Sequence, residues 1–312
     1  MAFPEGVRIY EVGPRDGLQN EPRSVPTETK AGYVERLVAA GLREIEVTSF
    51  VSPRAIPQLA DAAELMALLP PAPGVRYPVL VPNMRGMDRA EAAGASAIAV
   101  FTAASDAFTE RNIGMSVAAS LEAFRPVLAR AVQQGMWTRA YVSTAFGCPF
   151  TGRVEADRVV EVSLRLMELG ADEICLGDTI GVGVPSQVTR LTERHLEAGV
   201  PLGQLAYHFH DTRGTALANV MAGLARGVSC FDASAGGAGG CPYAPGAAGN
   251  LATEDLVYLL DGMGIEHGVR LAGVLEAARY ISEALGRALG SKVGQAGGWD
   301  PLTGSATDRP IG

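Results

Sequence analysis

His208 and His210 stand two residues apart in QLAYHFHDT, a segment that reads as a β-strand. Alternate strand residues point to one side, so both imidazoles face the same place, an arrangement able to hold a metal ion. The plainer reading is a polar strand face with two unrelated side chains, and the rest of the chain decides between them. EVGPRDGLQNEP, residues 11–22, places Arg15 and Asp16 on a Gly-Pro turn. Asp16 offers a hard oxygen ligand and Arg15 a permanent cation able to hold a developing oxyanion; the alternative is a turn with a surface ion pair. Gln19 and Asn20 are further polar contacts or ordinary loop residues.

Glu46 lies among apolar neighbours in IEVTSFVSPRAIPQ, residues 45–58. A carboxylate turned into a protein interior needs a partner, and Arg15 is the nearest candidate; otherwise Glu46 faces outward to a helix. Asp178 leaves a strand directly into the glycine-punctuated loop of LGDTIGVGVP, where it either holds substrate or caps a turn. Six glycines within residues 235–249 surround a lone Cys241 between Gly-Gly and Pro-Tyr. So many glycines let a loop close over a ligand, with Cys241 as proton donor or acceptor or, less fittingly, nucleophile. Asn250, where this loop ends, can offer a side-chain carbonyl to a metal. Cys148, Cys175 and Cys230 read as core or loop thiols, and His195 and His267 as structural.

These residues need a scaffold, and strand-like runs alternate with helix-like ones along nearly the whole chain. Strands are expected at 7–12, 43–49, 77–81, 97–102, 138–143, 172–177, 204–210 and 229–234. Helices are expected to begin near Thr27, Ile56, Met87, Ser116, Glu155, Ser186, Thr215 and Thr253. Eight βα units without a G-x-G-x-x-G turn after the first strand predict a closed (β/α)8 TIM barrel rather than a doubly wound sheet. Residues 271–289 read as an additional C-terminal helix. The barrel is expected to occupy 1–290 and a flexible tail 291–312. In such barrels the chemistry sits at the C-terminal strand ends, where the residues above gather, with Tyr141 in the fifth strand.

At 47% apolar and 19% charged, 312 residues bury a sizeable core, and a net charge of −8 argues against a nucleic-acid surface. Cysteines without Cys-x-x-Cys spacing and a start without a secretory leader point to a reducing cytoplasm, and no apolar run is long enough for a membrane span.

Together the motifs EVGPRDGLQNE, EVTSFVSP, YVSTAFGCPF, LGDTIGVG, HFHDTRGTALAN and AGGAGGCPYAPGAAGNLATEDLVY resemble the 3-hydroxy-3-methylglutaryl-CoA lyase family over residues 7–290. This family sits within a wider group of metal-dependent barrel lyases and condensing enzymes, and the cysteine loop is its most specific signature. The resemblance implies cleavage of the acyl-CoA thioester to acetyl-CoA and acetoacetate, as in leucine degradation. It implies a divalent cation, Mg²⁺ or Mn²⁺, held by Asp16, His208, His210 and Asn250, no organic cofactor, and a homodimer. It further implies Arg15, held by Glu46, at the enolate oxygen, Cys241 as proton donor, and Asp16 or His208 taking the hydroxyl proton. Gln19, Tyr141 and Asp178 are then expected to position substrate, and Arg54, Arg85 and Arg111 are possible CoA phosphate contacts. Pro22 and Arg23 stand where relatives often carry a lysine, and the C-terminal tail lacks a cysteine. Alternatives are a lyase for a longer-branched 3-hydroxyglutaryl-CoA such as the isohexenyl analogue, or a Claisen-type synthase of the same group. A barrel amidohydrolase, whose His-x-His pair belongs to the first strand, and a non-catalytic binding protein fit less well.

Overall fold

The computed structural model describes residues 3–240 and 249–297. Within them, short apolar runs form parallel strands, and most are followed by a segment whose Pro, Ser, Asn or Thr start favours a helix. The order is β1 (Arg8–Glu11), α1 (Thr27–Ala40), β2 in two pieces (Glu44–Ile45 and Thr48–Ser49), α2 (Ala62–Leu68), β3 (Val79–Leu80) and α3 (Met84–Ala92). Then come β4 (Ala97–Ala103), α4 (Asp106–Ile113), α5 (Val117–Gln133), β5 (Trp137–Ser143), α6 (Ala156–Glu168), β6 (Glu173–Asp178) and α7 (Pro185–Glu197). The chain continues with β7 (Leu205–Phe209), α8 (Ala216–Leu224), β8 (Cys230–Ala233), α9 (Thr253–Met263), α10 (Leu271–Leu285) and α11 (Lys292–Ala296).

The sheet closes through its broken strand. The first piece of β2 pairs with β1, Tyr10 opposite Glu44, while its second piece pairs with β3, Thr48 opposite Val79. Between the pieces, Glu46 N–H donates to Glu11 O (2.9 Å) and Val47 N–H to Pro78 O (3.1 Å), so one strand joins both edges. Each strand then buries both faces. Ile9, Val47, Val100, Val142 and Leu176 pack outward against helices, whereas Tyr10, Leu80, Ala99, Tyr141, Cys175 and Ala206 fill the interior. This is the TIM-barrel arrangement expected from the alternation.

Several boundaries differ from the sequence-based expectation. Ile56 begins no helix: Pro57–Leu59 form one 3₁₀ turn, and α2 starts at Ala62. Helix α4 and a small hairpin, Gly147–Cys148 with Gly152–Arg153, lie in connections read as plain loop. The stretch expected to be tail opens with α11, because Asp255 at the start of α9 accepts from Ser291 Oγ (2.9 Å) and Val293 N–H (2.8 Å). That anchor is long-range and invisible to local composition. Helix α10 lies against α1, where Arg36 stacks on the Tyr280 ring at 3.8 Å. Among the described residues no helix is long and apolar enough to cross a membrane.

Candidate metal and oxyanion site

The turn after β1 is tight because three amides, those of Arg15, Asp16 and Gly17, converge on Val12 O at 2.8 to 3.2 Å. Gly13 admits no side chain there: a Cβ would lie 2.4 Å from the Tyr33 hydroxyl and 2.5 Å from Glu11 Oε1. The turn aims Arg15 into the barrel mouth, where its Nε donates to Glu46 Oε1 and its Nη1 to Asp16 Oδ1 (2.6 Å). Glu46, fully buried, also accepts from Tyr10 (2.9 Å) and Tyr141 (2.7 Å). Burial and then the Glu46 charge push both phenols well above their ordinary range, so they act as fixed donors. Burial opposes the Arg15 charge, but Glu46 and Asp16 outweigh it and hold the guanidinium protonated.

On β7, shared parity brings the two imidazoles together, with Nε2 of His208 and Nε2 of His210 3.1 Å apart. Asp16 completes a cluster whose ligand atoms all lie within 4.8 Å of one another. Asn250 reaches it through backbone pairing: it bridges His210 antiparallel, with Leu251 N–H on Phe209 O (3.0 Å) and Asp211 N–H on Gly249 O (2.7 Å). Its Nδ2 donates to Asp16 Oδ2 (2.9 Å) and Ala238 O (3.0 Å), whereas its Oδ1 is buried without a hydrogen-bond partner.

This donor set suits a divalent cation. An orphaned buried carbonyl costs about 1–3 kcal/mol unless something accepts its lone pairs, and a hard cation does so. Burial lowers the His210 pKa to about 4, with His208 adding to the effect, so the ring is a neutral ligand at pH 7. Burial alone would raise Asp16, but Arg15 and the two histidines hold its carboxyl below the usual range, leaving an anion. Two imidazoles with two oxygen donors fit a borderline-to-hard divalent ion.

The structure adds residues that the sequence reading passed over. Asp232 on β8 stands in register with His208 and accepts a hydrogen bond from its Nδ1–H (3.1 Å), which turns Nε2 toward the cluster. The other Asp232 oxygen accepts from Arg139 Nη2 at 2.5 Å; this fully buried arginine also lies 3.7 Å over the Tyr10 ring. A charged residue at an inward position of an apolar strand was the available signal for both.

Other expected residues are placed differently. Asp178 gives its carboxylate to the amides of Val182 and Gly183 (2.9 Å each), so it fixes its own loop. Gln19 is half-buried just past the turn, and Asn20 is exposed. Arg23, Arg54, Arg85 and Arg111 are exposed, Arg111 stacking on Phe150 at 3.9 Å. His195 is buried between Leu191 O (2.8 Å) and Ser163 (2.9 Å), and His267 pairs with Asp261 (2.9 Å). Cys241 lies outside the described residues. The chain reaches that segment from Gly239, where a Cβ would stand 2.7 Å from Asn250 Nδ2 and 3.6 Å from Asp16 O.

Glu11 ties this loop base to the turn, accepting from Gly13 N–H (2.9 Å), Ala235 N–H (2.9 Å) and Thr253 Oγ1 (2.6 Å). Burial nevertheless raises its pKa from 4.5 to about 7. A carboxyl that binds its proton more tightly when folded favours folding at low pH, and that contribution disappears as pH rises through 7. Stability is therefore expected to fall between pH 5 and 8, and Glu11→Gln should remove about 3 kcal/mol of that fall. Denaturant unfolding at both pH values measures it, and equal losses in the two proteins would contradict it.

The chain as a whole is similar to known proteins. The HMGL-like family model matches residues 6–281. The rat protein "3-hydroxy-3-methylglutaryl-CoA lyase, cytoplasmic" (Rattus norvegicus) is 50% identical over 94% of this chain and 85% of its own length. The bovine "Hydroxymethylglutaryl-CoA lyase, mitochondrial" (Bos taurus) is 51% identical over 94% and 90%. The crystal structure of hydroxymethylglutaryl-CoA lyase from Pseudomonas aeruginosa superposes with a TM-score of 0.93 at 47% identity, covering 95% of this chain and 98% of that one.

Proposed function

The chain belongs to the HMGL-like family, and from that premise we propose that it is a carbon-carbon lyase using a divalent metal to cleave 3-hydroxy-3-methylglutaryl-CoA into acetyl-CoA and acetoacetate. The observation that carries the mechanism is the convergence of Asp16, His208 and His210 beside the orphaned Asn250 carbonyl, with Arg15 clamped at its edge.

Asp16, His208, His210 and Asn250 would hold the cation, with Mg²⁺ or Mn²⁺ the proposed ion. Bound there, it supplies Lewis-acid support for alkoxide character at the substrate's tertiary hydroxyl. The hydroxyl proton is assigned to Asp16 or, through a proton relay, to His208. As the carbon-carbon bond breaks, the departing thioester carries enolate charge, and Arg15 presents its remaining N–H groups to that oxygen. Glu46, held by Tyr10 and Tyr141, fixes the guanidinium so that little reorganisation is needed when the charge develops. Cys241, next after Gly240, is assigned the proton delivered to the enolate carbon. Gln19 is assigned a substrate contact, while Tyr141 and Asp178 act on substrate through Glu46 and the 178–183 loop.

One catalytic barrel over residues 1–290, a homodimer and a cytoplasmic location complete the proposal. The three described cysteines are free, in keeping with a reducing compartment. Cleavage of 3-hydroxy-3-methylglutaryl-CoA and of the isohexenyl analogue should be measured with Mg²⁺, with Mn²⁺ and after chelation. The methyl substrate is expected to be cleaved faster, and chelation to abolish turnover until metal is restored. No cleavage of either thioester by the metal-loaded protein would refute the lyase assignment.

A further inference from the structure

At the opposite end of the barrel, the N-terminal strand ends enclose a cavity of about 380 Å³. Arg8, Arg43 and Arg76 line it, with Glu44 as the one lining carboxylate. Against Glu44 and the adjoining Glu173, the three guanidiniums leave one net positive charge here on a chain of net charge −8.

The arginines are arranged rather than merely present. Glu44, 9% exposed, accepts from Arg8 Nη1 with one oxygen (2.6 Å) and from Arg76 Nη1 with the other (2.5 Å), which spaces the two forks. Arg8 Nη2 reaches back to Glu173, and Arg76 lies 4.2 Å over the Trp137 ring, so both are oriented before any ligand arrives. These bonds engage Arg8 Nη1 and Nη2 and Arg76 Nη1, and they leave Arg76 Nη2 and Nε without a hydrogen bond among the described residues. Arg43, exposed, makes no ion pair among the described residues. His267 is engaged by Asp261 (2.9 Å) and by Val269 N–H (3.2 Å) and adds no competing acceptor.

We propose that this cavity is a binding site for a small oxyanion, a phosphate group or a dicarboxylate, held between Arg43 and Arg76. Planar guanidinium forks match both chemistries through paired N–H···O bonds. At roughly 30 Å³ per water-sized group, the space admits about a dozen such groups, enough for either anion with some of its solvent. The proposal stands apart from the lyase reading, since no residue in it belongs to the metal cluster.

The test titrates inorganic phosphate and, separately, succinate into the full chain after metal removal, at fixed ionic strength against chloride. Calorimetry and thermal unfolding are the readouts. Saturable binding of at least one anion is expected, and Arg43→Ala should weaken it about tenfold, the worth of one charge-assisted fork. Arg165→Ala, at an exposed position of α6, controls for general electrostatics and should leave the affinity alone. Which anion binds more tightly assigns the ligand class. Absence of saturable binding for both, a change below threefold in Arg43→Ala, or an equal change in Arg165→Ala overturns the site.

Discussion

Arg15→Met is expected to lower kcat about 10²- to 10³-fold, the usual loss when one preorganised oxyanion donor is removed. The expectation rests on how Arg15 is held. Its Nε is committed to Glu46 and one Nη to Asp16, so the remaining N–H groups point in a set direction at a buried position. A methionine keeps the approximate length and packing but carries no charge to meet the enolate oxygen. Lysine should not rescue the loss, because a single ammonium cannot serve Glu46, Asp16 and substrate together in a planar fork. Glu46→Gln should show a smaller loss of the same kind, since its one remaining oxygen still accepts from the guanidinium while the tyrosine hydroxyls turn to accept from the amide. Steady-state kinetics with metal content measured alongside makes the check. A loss of less than tenfold in Arg15→Met with a normal metal load would remove Arg15 from the chemistry.

The barrel was legible because its information is local and repeated. Short apolar runs at regular intervals, each with a helix start behind it, specify eight units whatever the details between them. The His208/His210 pair was legible for the same reason, since strand parity is a property of neighbouring residues. Asp232 was not, although it stands in SCFDAS in plain view. Its meaning depends on the register that sets it beside His208, and register between β7 and β8 is a tertiary fact. Arg139 and Glu173 are hidden in the same way, as inward charges whose partners come from other strands. Asp178 shows the converse: its position at a strand end left substrate contact and turn capping open, and two amides five residues downstream or fewer claim its oxygens. Helix α11 escaped notice because glycine-rich composition masked an anchor at Asp255.

Asp232→Asn is expected to weaken divalent metal binding about 10- to 100-fold, the range found when the partner of a metal-binding imidazole is altered. The aspartate does two jobs with its two oxygens. One accepts a hydrogen bond from His208 Nδ1–H and thereby commits Nε2 to the cluster; the other neutralises Arg139 in the barrel interior. Burial disfavours the Asp232 charge, but Arg139 and His208 more than compensate and keep its pKa low, so His208 sees a full anion. An asparagine can still accept the proton's hydrogen bond, but without that charge the imidazole is a weaker donor to metal. It also leaves Arg139 with Glu173 as its remaining carboxylate partner, which costs stability on the order of 1.5–3 kcal/mol by itself. The two consequences separate in the double variant Asp232→Asn with Arg139→Met. Removing the half-paired cation should restore part of the thermal stability, yet leave Mn²⁺ affinity as weak as in the single variant. Mn²⁺ binding followed by electron paramagnetic resonance, beside thermal unfolding, reads both. If Mn²⁺ affinity in Asp232→Asn stays within threefold of the parent, Asp232 serves the fold of the barrel and not the metal.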